Sequence, residues 1–314
     1  EESFAKLEKG VASFATSSGM AAIQLVCNLF KPGDEVLVAF DLYGGTFRLF
    51  DFYEQQYGVT FKYVDFLNYE EVENQITSQT KALFIEPISN PQMIDIDVTP
   101  YYVLSKKHDL LTIIDNTFLT PYLSTPLEEG ADIVLHSATK YIGGHNDVLA
   151  GVVTVKDDKL AEELGQFHNM IGATLSPLDS YLLQRGLKTL HLRIDRSQEN
   201  AQKLAVKCQD LDAIDEVLYS GRTGMLSLRL NKAYSVPKFL ENLETCIFAE
   251  SLGGTETFIT FPYTQTHVDM PDEEKVKRGI DEFLIRLSIG IENYSDIEAD
   301  IIQALTHSKV GVIS

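Results

Sequence analysis

The chain has 314 residues, 44% hydrophobic and 23% charged, and its 26 basic against 46 acidic side chains give a formal net charge of −20. That composition fits a globular protein with a large buried core and room for two domains, and its sign opposes nucleic acid and anionic membrane as partners. No apolar run approaches the roughly 20 residues of a membrane span, and three scattered cysteines, Cys27, Cys208 and Cys246, point to buried thiols in a reducing, cytoplasmic setting.

In chain order, Ala22, Leu25, Val26, Leu29 and Phe30 recur at helical spacing, and Lys31-Pro32-Gly33-Asp34 ends that helix before the extended run Glu35 to Ala39. The alternation continues: helix over 46–57, strand over 59–64, helix over 69–76, strand over 82–85, helix over 100–107, strand over 111–114, and a short buried strand over 131–135. Such an order predicts an α/β fold with a mostly parallel sheet. A largely helical stretch runs from Ser176 to about Lys207, after which extended segments are expected at 225–228, 258–261 and 284–288. The boundary is therefore placed near Asp195, giving a large domain over 1–195 and a smaller α/β domain over 196–314.

Several chemistry-bearing residues fall at the carboxyl ends of the predicted strands, where open α/β sheets bind ligands. Lys140, in His136-Ser137-Ala138-Thr139-Lys140-Tyr141, follows the 131–135 strand. A desolvated lysine there acts as a nucleophile, and the hydroxyls of Ser137 and Thr139 suit a phosphate, a pairing that suggests pyridoxal phosphate. Ser17-Ser18-Gly19-Met20 opens the first helix, whose free N–H groups make either an anion site or an ordinary capped start. Asp115 ends the 111–114 strand and suits a pyridinium nitrogen, although Asp-Asn is also a common turn. Tyr43, before Gly44-Gly45, offers a ring to stack on a pyridine and a phenol to pass protons, and Asn90 offers a donor to a phenolic oxygen, or a turn before Pro91.

The combination Ser18-Gly19-Met20-Ala21-Ala22-Ile23, Tyr43-Gly44-Gly45-Thr46, Asp115-Asn116-Thr117-Phe118, the run from His136 to His145 and Ser251-Leu252-Gly253-Gly254 closely resembles the trans-sulfuration family of pyridoxal phosphate enzymes, from about Leu7 to the carboxyl end. These are the cystathionine synthases and lyases and methionine γ-lyase. The resemblance implies an aminotransferase-like fold of type I, pyridoxal 5'-phosphate as cofactor, no metal, a small sulfur-containing amino acid as substrate and a homotetramer built as a dimer of dimers. It makes Lys140 the Schiff-base lysine and Asp115 the partner of the pyridine nitrogen. Tyr43 stacks on the ring, Ser18, Gly19, Met20, Ser137 and Thr139 hold the phosphate, and Asn90 lies near the phenolic oxygen. Arg286, in Leu284-Ile285-Arg286-Leu287-Ser288, matches the arginine that grips the substrate carboxylate. On pattern alone Arg286 reads as a surface charge at a strand end.

Ser251, Glu250 and Thr266 are expected to line the distal substrate pocket. Glu250 matches the acidic residue of members that work at the γ-carbon, and Gly45 stands where methionine γ-lyases carry cysteine. The expected reaction is the α,γ-elimination of cystathionine to cysteine, 2-oxobutyrate and ammonia, with cystathionine γ-synthase and β-lyase activities as alternatives. The family also implies an arm ahead of Glu1, absent from this chain, and a longer loop near Tyr219 to Gly224. A non-catalytic binding module is the remaining alternative, and the intact set of Lys140, Asp115, Tyr43 and Arg286 argues against it.

Overall fold

Short apolar runs alternating with amphipathic helices fold into two sheets, and the computed structural model describes residues 1–265 and 272–310. The chain begins with α1 (Glu2–Glu8), β1 (Ala12–Thr16), α2 (Gly19–Cys27), β2 (Glu35–Ala39), α3 (Gly44–Tyr57), β3 (Thr60–Val64), α4 (Tyr69–Gln75) and β4 (Thr80–Ile85). There follow α5 (Thr99–His108), β5 (Leu111–Asp115), α6 (Thr120–Leu123), α7 (Pro126–Glu129), β6 (Ile133–Ser137), β7 (Gly151–Val155), α8 (Asp158–Ile171), α9 (Pro177–Leu187) and α10 (Leu190–Gln209). The remainder comprises β8 (Ile214–Leu218), β9 (Met225–Leu230), α11 (Val236–Glu241), β10 (Ile247–Phe248), β11 (Phe258–Thr260), α12 (Asp272–Lys277), β12 (Leu284–Ser288) and α13 (Tyr294–Ser308).

The first sheet has seven strands in the order β1-β7-β6-β5-β4-β2-β3. Strands β3, β2, β4, β5 and β6 run parallel, and their Val, Ile and Leu side chains are buried because helices cover both faces of such a sheet. β6 and β7 have no helix between them, and β7 therefore returns antiparallel to β6, with β1 antiparallel at its far edge. This is the part the alternation in the sequence does not anticipate. β1 has the weak apolar pattern Ala-Ser-Phe-Ala-Thr, and its pairing is reinforced by a buried hydrogen bond between the Ser13 and Thr154 hydroxyls at 2.7 Å. The strand order turns back between β2 and β4, so the carboxyl ends of β2, β4 and β5 open where the sheet's topology switches.

The chain separates into two compact units, the first of residues 1–89, 95–143 and 147–187, the second of 90–94, 144–146 and 188–314. The change falls in the break between α9 and α10, so all of α10 lies in the second unit, including the part before Asp195. The second unit has a five-stranded sheet in the order β10-β11-β12-β9-β8, antiparallel except for the short β10–β11 pair. β8 and β9 form a hairpin across residues 219–224, where the resemblance implied a longer loop. Its core joins β9, β11 and β12 to Ala201, Leu204 and Cys208 of α10 and Ile297, Ile301 and Ala304 of α13. All three cysteines are free and buried, as the sequence predicts, and burial pushes the Cys208 thiol up to about 12. Among the described residues no helix is long and apolar enough to cross a membrane.

One carboxylate does much to order the second unit. Asp300, buried on α13, accepts the backbone N–H groups of Glu244, Thr245 and Cys246 at 2.9, 2.8 and 2.7 Å. Burial pushes its pKa up, but these bonds and one from Gln303 outweigh burial and hold it below the usual carboxylate range. A depressed carboxylate contributes stability that is present above the unfolded-state pKa, about 3.9, and is lost as pH falls through the lower folded value. We expect Asp300→Ala to cost about 1–3 kcal/mol at neutral pH, the penalty for leaving buried donors unmet. Urea titrations at neutral pH and near pH 3 check this, and a deficit that does not shrink in acid contradicts the charge-based account.

Candidate active site

In the first unit the chemistry-bearing residues gather around the ends of β5 and β6. β6 ends at Ser137, and the chain then turns tightly, with the Lys140 N–H donating to the Ser137 carbonyl at 3.2 Å and the Gly143 N–H to the Ala138 carbonyl at 2.8 Å. Ala138 and Ile142 anchor this turn in an apolar cluster with Phe4, Val148, Val152 and Leu183, leaving Lys140 half-buried between them. Thr139 departs from its expected part. Its hydroxyl donates to the Ala150 carbonyl at 3.2 Å and accepts the Ala150 N–H at 3.0 Å, so it fastens the turn to the start of β7 instead of standing open to a ligand.

The start of α2 lies against this turn. Ser18 is the N-cap, and its hydroxyl accepts the Ala21 N–H at 3.1 Å, which is the capping role the sequence offered as the alternative to anion binding. The Gly19 and Met20 N–H groups are left with no acceptor among the described residues. A Cβ on Gly19 would come within 2.8 Å of both Cβ and Oγ of Ser137, so glycine alone lets the helix start lie on that hydroxyl. Two open N–H donors at a helix start beside a hydroxyl form a cradle with the chemistry of a phosphate site, and they fit the phosphate of the expected cofactor.

Asp115 is the last residue of β5. Its Oδ1 accepts both the N–H and the hydroxyl of Thr117, at 3.1 and 2.5 Å, and Ser137 N–H donates in turn to the Thr117 hydroxyl at 2.8 Å. Thr117 thus ties the two strand ends together. Oδ2 accepts no hydrogen bond among the described residues, which leaves one carboxylate oxygen for a ligand's ring nitrogen. Burial raises the Asp115 carboxyl above the usual carboxylate range, with the Thr117 bonds and the neighbouring His136 opposing it only in part. Glu86, immediately after β4, is raised well above the usual carboxylate range by burial and by the nearby charges of Asp115 and Asp41. Its Oε1 accepts the Tyr43 N–H at 3.3 Å. Tyr43, 47% exposed at the start of α3, lays its ring over Gly45, where a Cβ would meet the ring and come within 3.1 Å of the Met20 sulfur.

The second unit holds its own cluster around Arg286. This residue is 2% exposed in the middle of β12, so the reading of it as a surface charge is overturned. Nη1 donates to Asn90 Oδ1 at 3.1 Å, and Nη2 donates to the Glu250 and Ser251 carbonyls and the Thr260 hydroxyl at 2.8, 3.2 and 2.9 Å. Glu250 and Ser251 therefore meet Arg286 through their backbones, and the Glu250 side chain is exposed. Thr266 lies outside the described residues.

Two participants escape the sequence reading. Thr117 was legible as a turn residue, because a threonine two places after a strand-end aspartate readily bonds back to it. Thr260 carries no such signal, since its meeting with Arg286 depends on the β11–β12 register.

A family model described as Cys/Met metabolism PLP-dependent enzyme matches residues 1–306. A cystathionine gamma-synthase/O-acetylhomoserine (thiol)-lyase of Bacillus subtilis is 52% identical over 314 residues, covering 100% of this chain and 84% of that protein. A cystathionine gamma-synthase of Haemophilus influenzae is 50% identical, covering 98% and 84%. Among solved structures, cystathionine gamma-lyase from Lactobacillus plantarum, complexed with L-serine, superposes with a TM-score of 0.94 at 40% identity, covering 97% of this chain and 84% of that one.

Proposed function

Because the chain belongs to the Cys/Met metabolism PLP-dependent enzyme family, for which pyridoxal phosphate is the cofactor, we propose that it catalyses γ-replacement on an activated homoserine. The thiol of cysteine forms a C–S bond to the γ-carbon of an O-acylhomoserine, the γ-carbon–oxygen bond breaks, and cystathionine and a carboxylic acid are released. The observation that carries this reading is the order of likeness among curated relatives, in which those named as synthases are 52% and 50% identical while a cystathionine gamma-lyase of Bacillus subtilis is 42% identical. The sequence expectation leaned instead to the lyase. Glu250 matches γ-carbon chemistry common to both and does not divide them.

The cofactor, when bound, supplies an electron sink that stabilises negative charge on substrate carbon. The first unit is the cofactor unit in this reading. The Gly19 and Met20 N–H groups and the Ser137 hydroxyl hold its phosphate, an assignment supported by their open donors and the glycine-lined approach. Asp115 Oδ2 holds the ring nitrogen's proton, the Tyr43 ring stacks on the pyridine, and Lys140 carries the cofactor and moves protons at the substrate's α- and β-carbons. In the second unit Arg286 grips the substrate carboxylate, its plane fixed by the three acceptors on Nη2. Asn90 orients Arg286 through Nη1. The exposed Glu250 carboxylate receives the amino group at the far end of the substrate, next to Ser251 in the chain.

The test is a product assay of the PLP-loaded protein. We expect O-acetyl- or O-succinylhomoserine with cysteine to yield cystathionine faster than cystathionine alone is broken down. Faster release of 2-oxobutyrate and cysteine from cystathionine would move the assignment to γ-lyase, the second reading, which the higher identity of the solved γ-lyase, 40% against 36% for a solved γ-synthase, supports. Pyruvate with homocysteine would move it to β-lyase.

A further inference from the structure

Arg286 stands in a row of hydroxyls within the second unit. In the register of its sheet it lies directly opposite Ser227 of β9 on one side and Thr260 of β11 on the other, and Ser288 follows two places along its own strand. Directly paired and alternate residues share a face of a sheet, so the four side chains stand on one side. On the other side Leu226, Leu228, Ile259, Ile285 and Leu287 join the apolar core. All four members of the row are buried, and β9, β11 and β12 contain no other serine or threonine.

Each hydroxyl is bonded to a segment that touches the guanidinium. Ser227 Oγ donates to the Pro91 carbonyl at 2.7 Å, next to Asn90, whose Oδ1 accepts from Arg286 Nη1. Thr260 Oγ1 donates to the Ala249 carbonyl at 2.7 Å and accepts from Arg286 Nη2 at 2.9 Å, so one hydroxyl joins the guanidinium to the residue before Glu250. Ser288 Oγ accepts the Gly253 N–H at 2.8 Å, two residues after Ser251. The Glu250 and Ser251 carbonyls that meet Nη2 thus hang between two fastened points. Residues 90–91 and 249–253 belong to no helix or strand, and the backbone contributes a bond from Ala249 N–H to the Ile259 carbonyl at 3.0 Å. Buried strand positions suit apolar β-branched side chains, whereas these three carry hydroxyls, and every one of them borders the arginine.

We propose that Ser227, Thr260 and Ser288 are positioning residues for substrate recognition: by fastening the two segments that flank the guanidinium, they hold its fork in the plane that accepts the substrate carboxylate. The inference rests on the reading of Arg286 as the carboxylate-binding residue. It places control of that grip on three buried hydroxyls inside the sheet.

The experiment titrates the protein loaded with pyridoxal phosphate with homoserine and with 3-aminopropanol, the same chain without its carboxylate, and follows the visible absorbance. Wild type is expected to prefer homoserine, and Arg286→Lys to lose most of that preference. Ser227→Ala, Thr260→Val and Ser288→Ala are each expected to weaken homoserine binding about tenfold, because a displaced fork loses one of its two parallel bonds to the carboxylate. Binding of 3-aminopropanol and cofactor loading stay at the wild-type level. Thr260→Ser keeps the hydroxyl and is expected to bind homoserine within about twofold of wild type. The three hydroxyls are removed one at a time, so a variant that does not fold leaves the others to decide. Folded variants that melt earlier yet keep the wild-type preference overturn the proposal, because their hydroxyls then serve stability alone. An equal loss for both ligands overturns it as well, since the damage then lies outside the carboxylate grip. A preference that survives Arg286→Lys removes the carboxylate assignment itself, and the proposal with it.

Discussion

Replacing Lys140 by alanine abolishes turnover, with a loss of about a thousandfold or more, and removes the visible absorbance of the loaded protein without unfolding it. The size follows from the two duties placed on one amine: proton transfer by a positioned group contributes about 10²- to 10⁴-fold, and covalent attachment of the cofactor adds to it. The turn around Lys140 should survive the change. Its anchors are Ala138 and Ile142 in the apolar cluster, the Thr139 hydroxyl bonded to Ala150, and backbone bonds that alanine makes equally well. Circular dichroism, an absorbance spectrum and the product assay on one preparation separate the outcomes. A variant that keeps the visible band and turns over within tenfold of wild type removes Lys140 from the chemistry.

Arg286→Lys gives the second large effect. Catalytic efficiency falls about 100- to 1,000-fold, equivalent to about 3–4 kcal/mol, chiefly through a raised KM, while cofactor loading stays at the wild-type level. Lysine keeps the positive charge but not the planar fork. In the structure that fork is set by Asn90 on one terminal nitrogen and by the Glu250 and Ser251 carbonyls and the Thr260 hydroxyl on the other. A single ammonium cannot reproduce those directions and also present two parallel donors to a carboxylate. Because Arg286 is also buried, a thermal melt belongs beside the kinetics. A fall in kcat at unchanged KM, or efficiency within a few-fold of wild type, argues against carboxylate binding.

The parallel part of the first sheet was legible because β2, β4, β5 and β6 are continuous apolar runs separated by helices. β7 is just as apolar, but it follows β6 through a helix-free loop, so a rule built on alternation passes over it. In the site, Asp115 and Lys140 could be read because local sequence puts them beside strand ends. Thr139 and Glu250 were legible from their motifs, yet which atoms they use depends on the fold: Thr139 spends its hydroxyl on Ala150, and Glu250 meets Arg286 through its carbonyl. The buried contact between Glu8 Oε1 and His136 Nε2, at 2.5 Å, left no trace in the sequence, since the two residues are 128 positions apart and nothing local marks either as buried.

The path of the chain through the two units has a consequence for how the protein is made. Residues 90–94 and 144–146 belong to the second unit although they precede most of it. Ser227 donates to the Pro91 carbonyl, Gln92 to the Arg278 carbonyl, Arg286 to Asn90 and Asn146 to Glu256, spanning 136, 186, 196 and 110 positions. On the ribosome, the first unit can be complete when Leu187 emerges, while these two short segments wait for partners not yet translated. The second unit cannot be excised as one continuous gene fragment without losing those contacts, so recombination that exchanges carboxyl-terminal halves between relatives must preserve complementarity at Asn90 to Ile94 and Gly144 to Asn146 as well.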